Sequence, residues 1–280
     1  MNAIGNDGVA VLAKSLSLST HPILTALYVW QNQIGDAGVS ALASSSCIRT
    51  LEELYLGSNS ITDEGVQHLA LSPFLGQLKC LDLALNSVSD KCFESIAYSP
   101  AFSDLRKLVI GGPLLTSIQP EMVRLLAEGK SCLNLKRLTI VGSGFGDAQA
   151  AALSSVHDGW SRLRVLELHD SSLTDVGLHS LAMSPLLANL WVLKISGHFL
   201  RIGDDGLRSL AASTVLRNLI DLEIDPVACT EKCMLEITSS PVMSRLDRVQ
   251  LSGHERAWLN SPNVRPPLKS FIQLSVPPES

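Results

Sequence analysis

Apolar residues recur along this chain in a fixed phase. One segment carries Leu51, Leu54, Leu56, Asn59, Ile61, Gly65 and Leu69, with mostly polar residues between them. The same seven positions recur one unit earlier as Leu24, Leu27, Val29, Asn32, Ile34, Gly38 and Leu42. They recur one unit later as Leu78, Leu81, Leu83, Asn86, Val88, Cys92 and Ile96. Further units begin at Leu105, Leu135, Leu163, Leu190, Leu219 and Leu246, so successive spacings are 27, 27, 27, 30, 28, 27, 29 and 27 residues. Positions repeating in phase mark an internal repeat, and the chain reads as a stack of similar units.

The spacing within a unit dictates its local structure. In Leu54-x-Leu56 the leucines alternate and share one face of a short strand, while the residues between them share the other. After a turn, Gly65-Val66-Gln67-His68-Leu69-Ala70 spaces its apolar residues as a helix does. One unit cannot bury its own leucines, but neighbours on both sides can. The pattern therefore predicts nine parallel strands centred near Leu27, Leu54, Leu81, Leu108, Leu138, Leu166, Leu193, Leu222 and Val249. Strands line the inner side of an arc and the wider helices lie outside.

These residues resemble the leucine-rich-repeat superfamily over about residues 2 to 254. The N-x-I-x-x-x-G segment is similar to the ribonuclease-inhibitor type. Ile61-Thr62-Asp63-Glu64-Gly65 and Leu173-Thr174-Asp175-Val176-Gly177 are similar to the cysteine-containing type of F-box proteins. The resemblance implies an α/β solenoid, a right-handed horseshoe with a concave sheet and convex helices. It also implies a scaffold that recognises a protein or peptide through the concave face. The alternatives it implies are a segment of a GTPase-activating protein, since Ran-type activators share the repeat class, and a segment of a ubiquitin-ligase adaptor.

The solenoid is expected over residues 1–254, with a partial first unit at 2–15 (Asn2, Ile4, Gly8 and Leu12 in register) and nine strand-bearing units from 24. No strand precedes that partial unit, and an uncapped end exposes leucines. The chain is therefore expected to be part of a longer array. Residues 255–280 lose the register, and Pro262, Pro266, Pro267, Pro277 and Pro278 disfavour a helix there. That segment is read as a cap or a loose tail. Asn32, Asn59 and Asn86 stand where the chain leaves each strand, placed to satisfy turn backbone and to join one coil to the next. Pro113, Ser143, Ser171, His198, Val227 and His254 replace them later, so this ladder is expected to be most regular at the N-terminal end. The longer units from Leu105 and Leu190 are expected to bulge between strand and helix, because stacked strands cannot absorb extra residues.

Composition adds exclusions. With 22 basic and 27 acidic residues the net charge is −5, and no Lys/Arg run marks a nucleic-acid footprint, so no nucleic-acid partner is expected. Asp7 interrupts the early apolar stretch with no basic segment before it, and no signal peptide is read. The uncharged stretch from Ser15 to Gly35 is broken by Thr20, His21, Pro22, Gln31, Asn32 and Gln33, which argues against a membrane span. Cys47, Cys80, Cys92, Cys132, Cys229 and Cys233 show no Cys-x-x-Cys spacing. They read as buried thiols of a reduced, cytoplasmic protein, with no zinc or other cofactor.

The inner-face residues form rows across the strands. The row before the middle leucine reads Ala26, Glu53, Cys80, Lys107, Arg137, Val165, Val192, Asp221, Arg248. The row after it reads Tyr28, Tyr55, Asp82, Val109, Thr139, Glu167, Lys194, Glu223, Gln250, and Trp30 begins the next. Glu167, Lys194 and Glu223, and Asp221 with Arg248, are expected to neutralise one another. Tyr28, Trp30 and Tyr55 place three of the chain's seven Tyr and Trp residues together, the kind of rigid anchor that a partner buries. Lys107 and Arg137 form an adjacent like-charged pair that an acidic partner segment would relieve. Tyr28, Trp30, Glu53, Tyr55, Asp82, Lys107 and Arg137 are therefore the expected partner-binding residues. No enzyme is expected: His169 stands near Glu167, Asp170 and Ser171, but neighbours on a strand face opposite ways and cannot converge as a triad does.

Overall fold

A computed structural model describes residues 4–18, 24–225, 227–238 and 240–251. Its single sheet has nine parallel strands in chain order: β1 Ala26–Tyr28, β2 Glu53–Tyr55, β3 Cys80–Ala84, β4 Lys107–Gly111, β5 Arg137–Val141, β6 Val165–His169, β7 Val192–Ser196, β8 Asp221–Asp225 and β9 Arg248–Leu251. The helices are α1 Gly5–Ser17, α2 Asp36–Ala43, α3 Asp63–Ala70, α4 Cys92–Tyr98, α5 Pro120–Glu128, α6 Asp147–Ser154, α7 Asp175–Met183, α8 Asp204–Ala211 and α9 Glu231–Ile237. Each strand pairs only with its sequence neighbours, and the sheet does not close. Helices need more room side by side than the roughly 5 Å between strands, so the stack curves with the sheet inside.

The register matches the repeat. Leu27 pairs with Leu54, Leu54 with Leu81, and the column runs on through Leu108, Leu138, Leu166, Leu193 and Leu222 to Val249. These side chains, with the second strand leucines and Val66, Leu69, Leu178 and Leu207 from the helices, make one continuous apolar core. Trp160 fills the core column that holds Phe102, Cys132 and Leu187, so the largest side chain of the column follows the small Cys132. Its indole N–H is buried without a hydrogen-bond partner.

Three side-chain ladders tie unit to unit. The expected one is present. Asn59 accepts the Asn32 and Ile34 N–H groups at 3.0 and 2.9 Å and donates to the Val29 and Leu56 carbonyls. Asn86 likewise accepts from Ile61 and donates to Leu56 and Leu83. Farther on, Ser171 only donates to Ser196, and Val227 has no side-chain group to offer.

A second ladder follows the helix N-termini. Asp36 accepts the Thr62 N–H and hydroxyl at 2.8 and 2.7 Å, and Asp63 accepts both groups of Ser89. Asp147 and Asp204 do the same for Thr174 and Thr230, and Asp175 accepts the Gly203 N–H. A third ladder follows the helix C-termini, where Ser45, Ser72, Ser99, Ser184 and Ser213 donate to carbonyls of the preceding helix. Because these serines, all but Ser45 buried, satisfy orphan helix carbonyls, the helices can end inside the stack.

The turn leaving the strand needs a left-handed residue just before the Asn column. Gln31, Ser58, Leu85 and Asp170 adopt it with φ of 55 to 57°, and Gly142 and Gly197 take that place in other units. The extra residues of the long units lie between β4 and α5 and between β7 and α8, as the spacing predicts. In the second of these His198 and Phe199 project into solvent.

Among the described residues before β1, α1 packs on α2, and Asn6 accepts from the Gly35 and Gly38 N–H groups, where later units use Asp. Ile4 departs from the pattern at 39% exposed, whereas Ile34 and Ile61 in its column are fully buried. No described unit stacks on its outer side. His254, Ser252 and the segment 255–280 read as a cap or tail lie outside the described residues.

Candidate functional site

The N-terminal half of the inner face brings most of the sequence-predicted residues together. Alternation sends Leu54 and Leu56 into the core, where both are fully buried, and leaves Tyr55 on the opposite face. Tyr28 and Tyr55 occupy paired positions on β1 and β2, and their rings stack with centroids 4.6 Å apart and planes 9° from parallel. The Tyr28 hydroxyl donates to Glu53 Oε2 at 2.9 Å, which holds the phenol proton and raises its pKa. Hydrogen bonding with Cys80, reinforced by burial, pushes the Tyr55 hydroxyl well up. Cys80 is itself buried, and that burial raises its thiol. The two rings are thus a fixed pair standing on a small thiol.

Trp30 lies two residues past Tyr28, just beyond the end of β1, and the two are 56% and 59% exposed although Leu27 and Val29 beside them are buried. Gly57 lies in Trp30's row and lowers the floor beside it: a Cβ there would come within 3.3 Å of Asp82 Oδ1 and the Ala84 carbonyl. Asp82 is turned to its own strand end, accepting the Ala84 N–H at 2.9 Å.

Lys107 and Arg137 are paired across β4 and β5, as the like-charge reading requires. Lys107, however, lies over the Tyr55 ring with its Nζ 5.3 Å from the centroid, a cation–π contact that directs it toward β2. Tyr28, Glu53, Tyr55 and Lys107 therefore form one connected group. Trp30, Asp82 and Arg137 stand beside it without joining it.

Two ion pairs neutralise part of the C-terminal half of the face. Lys194 Nζ is 3.1 Å from Glu223, and Arg248 makes a two-pronged contact with Asp221. Glu167 instead accepts the Thr139 hydroxyl at 2.7 Å. His169 Nδ1 lies 3.0 Å from Ser196 Oγ on the next strand. Among the described residues no three His, Cys, Asp or Glu side chains are grouped to hold a metal, and no helix is long and apolar enough to cross a membrane. All six cysteines are free, and five are buried.

One row escaped the sequence reading. The residues immediately preceding the strands, Lys79, Arg106, Lys136 and Arg164, are basic on four successive units. The signal is in the register: each stands two positions before the middle leucine of its strand.

The description "Leucine Rich repeat" belongs to a family profile that matches residues 20–43 and 47–70. Among solved structures, the chain is similar to one titled as a Rad7 and Elc1 complex in yeast. That likeness has a TM-score of 0.51 and 13% identity, and covers 97% of this chain and 71% of that one. It is also similar to a TLR13–ssRNA13 complex, with a TM-score of 0.45 and 17% identity over 89% of this chain and 30% of that one. No curated protein sequence matches the chain. At 13% identity the likeness to the Rad7 and Elc1 structure speaks for the fold alone.

Proposed function

Because the chain belongs to the leucine-rich-repeat superfamily, we propose that it is a binding scaffold that holds a partner protein or peptide on its inner face, anchored at the N-terminal ring cluster. The observation that carries this reading is the contrast along β1 and β2: Tyr28 and Trp30 are more than half exposed although neighbouring leucines already fill the core. Folding has no use for rings in solvent, whereas an interface gains most from large side chains that are already held in place. The Tyr28–Tyr55 stack and its contacts to Glu53 and Lys107 fix the geometry before a partner arrives. Asp82 and Arg137 supply polar contacts at the margin. Six free thiols are compatible with a reducing, cytoplasmic setting.

The test is affinity capture with the intact chain, followed by affinity measurement for the captured partner. Trp30→Ala removes an anchor worth about 2 kcal/mol and weakens binding about thirtyfold, with the melting temperature little changed. Leu54→Ala behaves oppositely, losing about 2 to 5 kcal/mol of stability. A Trp30→Ala chain that binds the partner with unchanged affinity rejects this anchor.

A further inference from the structure

The basic row at the strand starts is a surface feature separate from the rings. Lys79, Arg106, Lys136 and Arg164 directly precede β3, β4, β5 and β6. Their backbones are locked in register. The Lys79 carbonyl accepts the Arg106 and Lys107 N–H groups, that of Arg106 accepts Lys136 and Arg137, and that of Lys136 accepts Arg164 and Val165, all at 2.8 to 3.0 Å. Four cations therefore stand on four successive units about 5 Å apart, and Lys107 and Arg137 stand one residue farther along two of the same strands. Six positive charges gather here in a chain whose net charge is −5.

Half of these charges are already engaged. Lys79 is 2.6 Å from Glu52, Lys107 covers Tyr55, and Arg164 lies over Trp191 at 5.5 Å while donating to the Leu163 carbonyl. Arg106, Lys136 and Arg137 are exposed, and among the described residues no carboxylate pairs with them. Of the nearby acids, Glu167 is turned to Thr139 and Asp82 to Ala84, while Asp104 is exposed two residues before Arg106. Three uncompensated cations on two adjacent units repel one another, and an anionic partner would relieve them.

We infer that this strip docks an acidic segment of a partner polypeptide, an extended run of Asp and Glu side chains laid across the starts of β3 to β6. The strip spans about 15 Å, the reach of about five extended residues. Two features favour a peptide over a nucleic acid. Of the rings nearest the strip, Tyr55 is stacked on Tyr28 and overlain by Lys107, and Arg164 takes one face of half-exposed Trp191, whereas single-stranded nucleic acid stacks its bases on free ring faces. Glu52 already pairs with Lys79 and Asp104 stands two residues before Arg106, so spaced carboxylates match this broken charge pattern better than a continuous phosphate backbone. The inference rests on the scaffold reading above and names the partner's chemistry.

Fluorescence anisotropy with the full chain tests it. The probes are a labelled Asp/Glu-rich peptide of about ten residues, the same peptide with Asn and Gln, and a single-stranded RNA of similar charge. The acidic peptide binds, its amide counterpart does not, and raising the salt to about 0.3 M weakens binding as screening shortens. Charge reversal by Arg106→Glu with Lys136→Glu weakens binding about tenfold or more, and the milder Arg106→Gln with Lys136→Gln does so by a smaller factor without unfolding. Absence of binding to the acidic peptide, indifference to both double variants, or tighter binding of the RNA overturns the inference. Trp30→Ala is run alongside. A partner lost on Trp30→Ala with no binding of the acidic peptide rejects the strip and leaves the ring anchor standing. Peptide binding abolished by the strip variants, with the partner indifferent to Trp30→Ala, rejects the ring anchor alone.

Discussion

Gly65→Ala probes the helix N-terminal ladder at its tightest point. A methyl group at position 65 would overlap Asp36 Oδ1 and stand 2.7 Å from Ile61 Cγ2. Ile61 is fully buried and cannot swing away, and the Asp36 carboxylate is held by the Thr62 N–H and hydroxyl. Displacing the carboxylate gives up at least one charge-assisted hydrogen bond, about 1.5 to 3 kcal/mol, and crowding Ile61 costs about 1 kcal/mol more. The gain in helix propensity returns about 1 kcal/mol. The net expectation is a loss of about 1.5 to 3 kcal/mol from a substitution that stabilises an ordinary helix. The clash is with the aspartate, so the cost depends on it. In an Asp36→Ala background the same Gly65→Ala change costs less than about 1 kcal/mol, which makes the double variant more stable than additivity allows. Urea unfolding followed by circular dichroism on the four chains of this cycle measures the coupling. Additive losses, or a Gly65→Ala chain more stable than the parent, would refute the assignment of Gly65 as the gap that admits the preceding unit's carboxylate.

Two further predictions come from the same coordinates. Leu85 holds a left-handed backbone with an exposed side chain, so Leu85→Gly relieves strain of about 1 to 2 kcal/mol against a smaller entropic cost and raises the urea midpoint slightly; a fall in the midpoint would mean that the leucine packs usefully there. Burial pushes the Cys132 and Cys233 thiols up to about 12 and Cys229 to about 11, which keeps them protonated at about pH 8. A thiol reagent should therefore modify these positions slowly in the native chain, half-exposed Cys229 first, and all six on unfolding; prompt native modification of Cys132 would contradict its placement.

The sequence made the strand register legible to the residue because apolar positions recur in phase over nine units, and a slip of one residue would bury Tyr55 and expose Leu54. It also disclosed the Asn ladder, since an amide at a fixed turn position has few other uses. The aspartate ladder was not legible in the same way. Asp36 alone looks like an ordinary acidic residue opening a helix, and its partner Thr62 becomes a neighbour only once the units stack. The candidate surface was legible as a set of positions but not as a set of contacts. Row-reading placed Lys107 beside Arg137, yet the Lys107 side chain settles over Tyr55, a choice made by rotamers and ring electrostatics that periodicity does not encode. The exposure of Ile4 was hidden for a related reason, because burial of a repeat position depends on the unit stacked next to it.

Hydroxyl-radical footprinting of the chain with and without a captured partner tests the proposed binding face most directly. Trp30 and Tyr28 on the inner face and Tyr98 at the end of α4 are all more than half exposed, so each reports on its own surface within one experiment. The account predicts strong protection of Trp30 and Tyr28 in the complex, with Tyr98 oxidised as in the free chain. Protection of Tyr98 with Trp30 and Tyr28 unchanged would place the partner on the helices and contradict it.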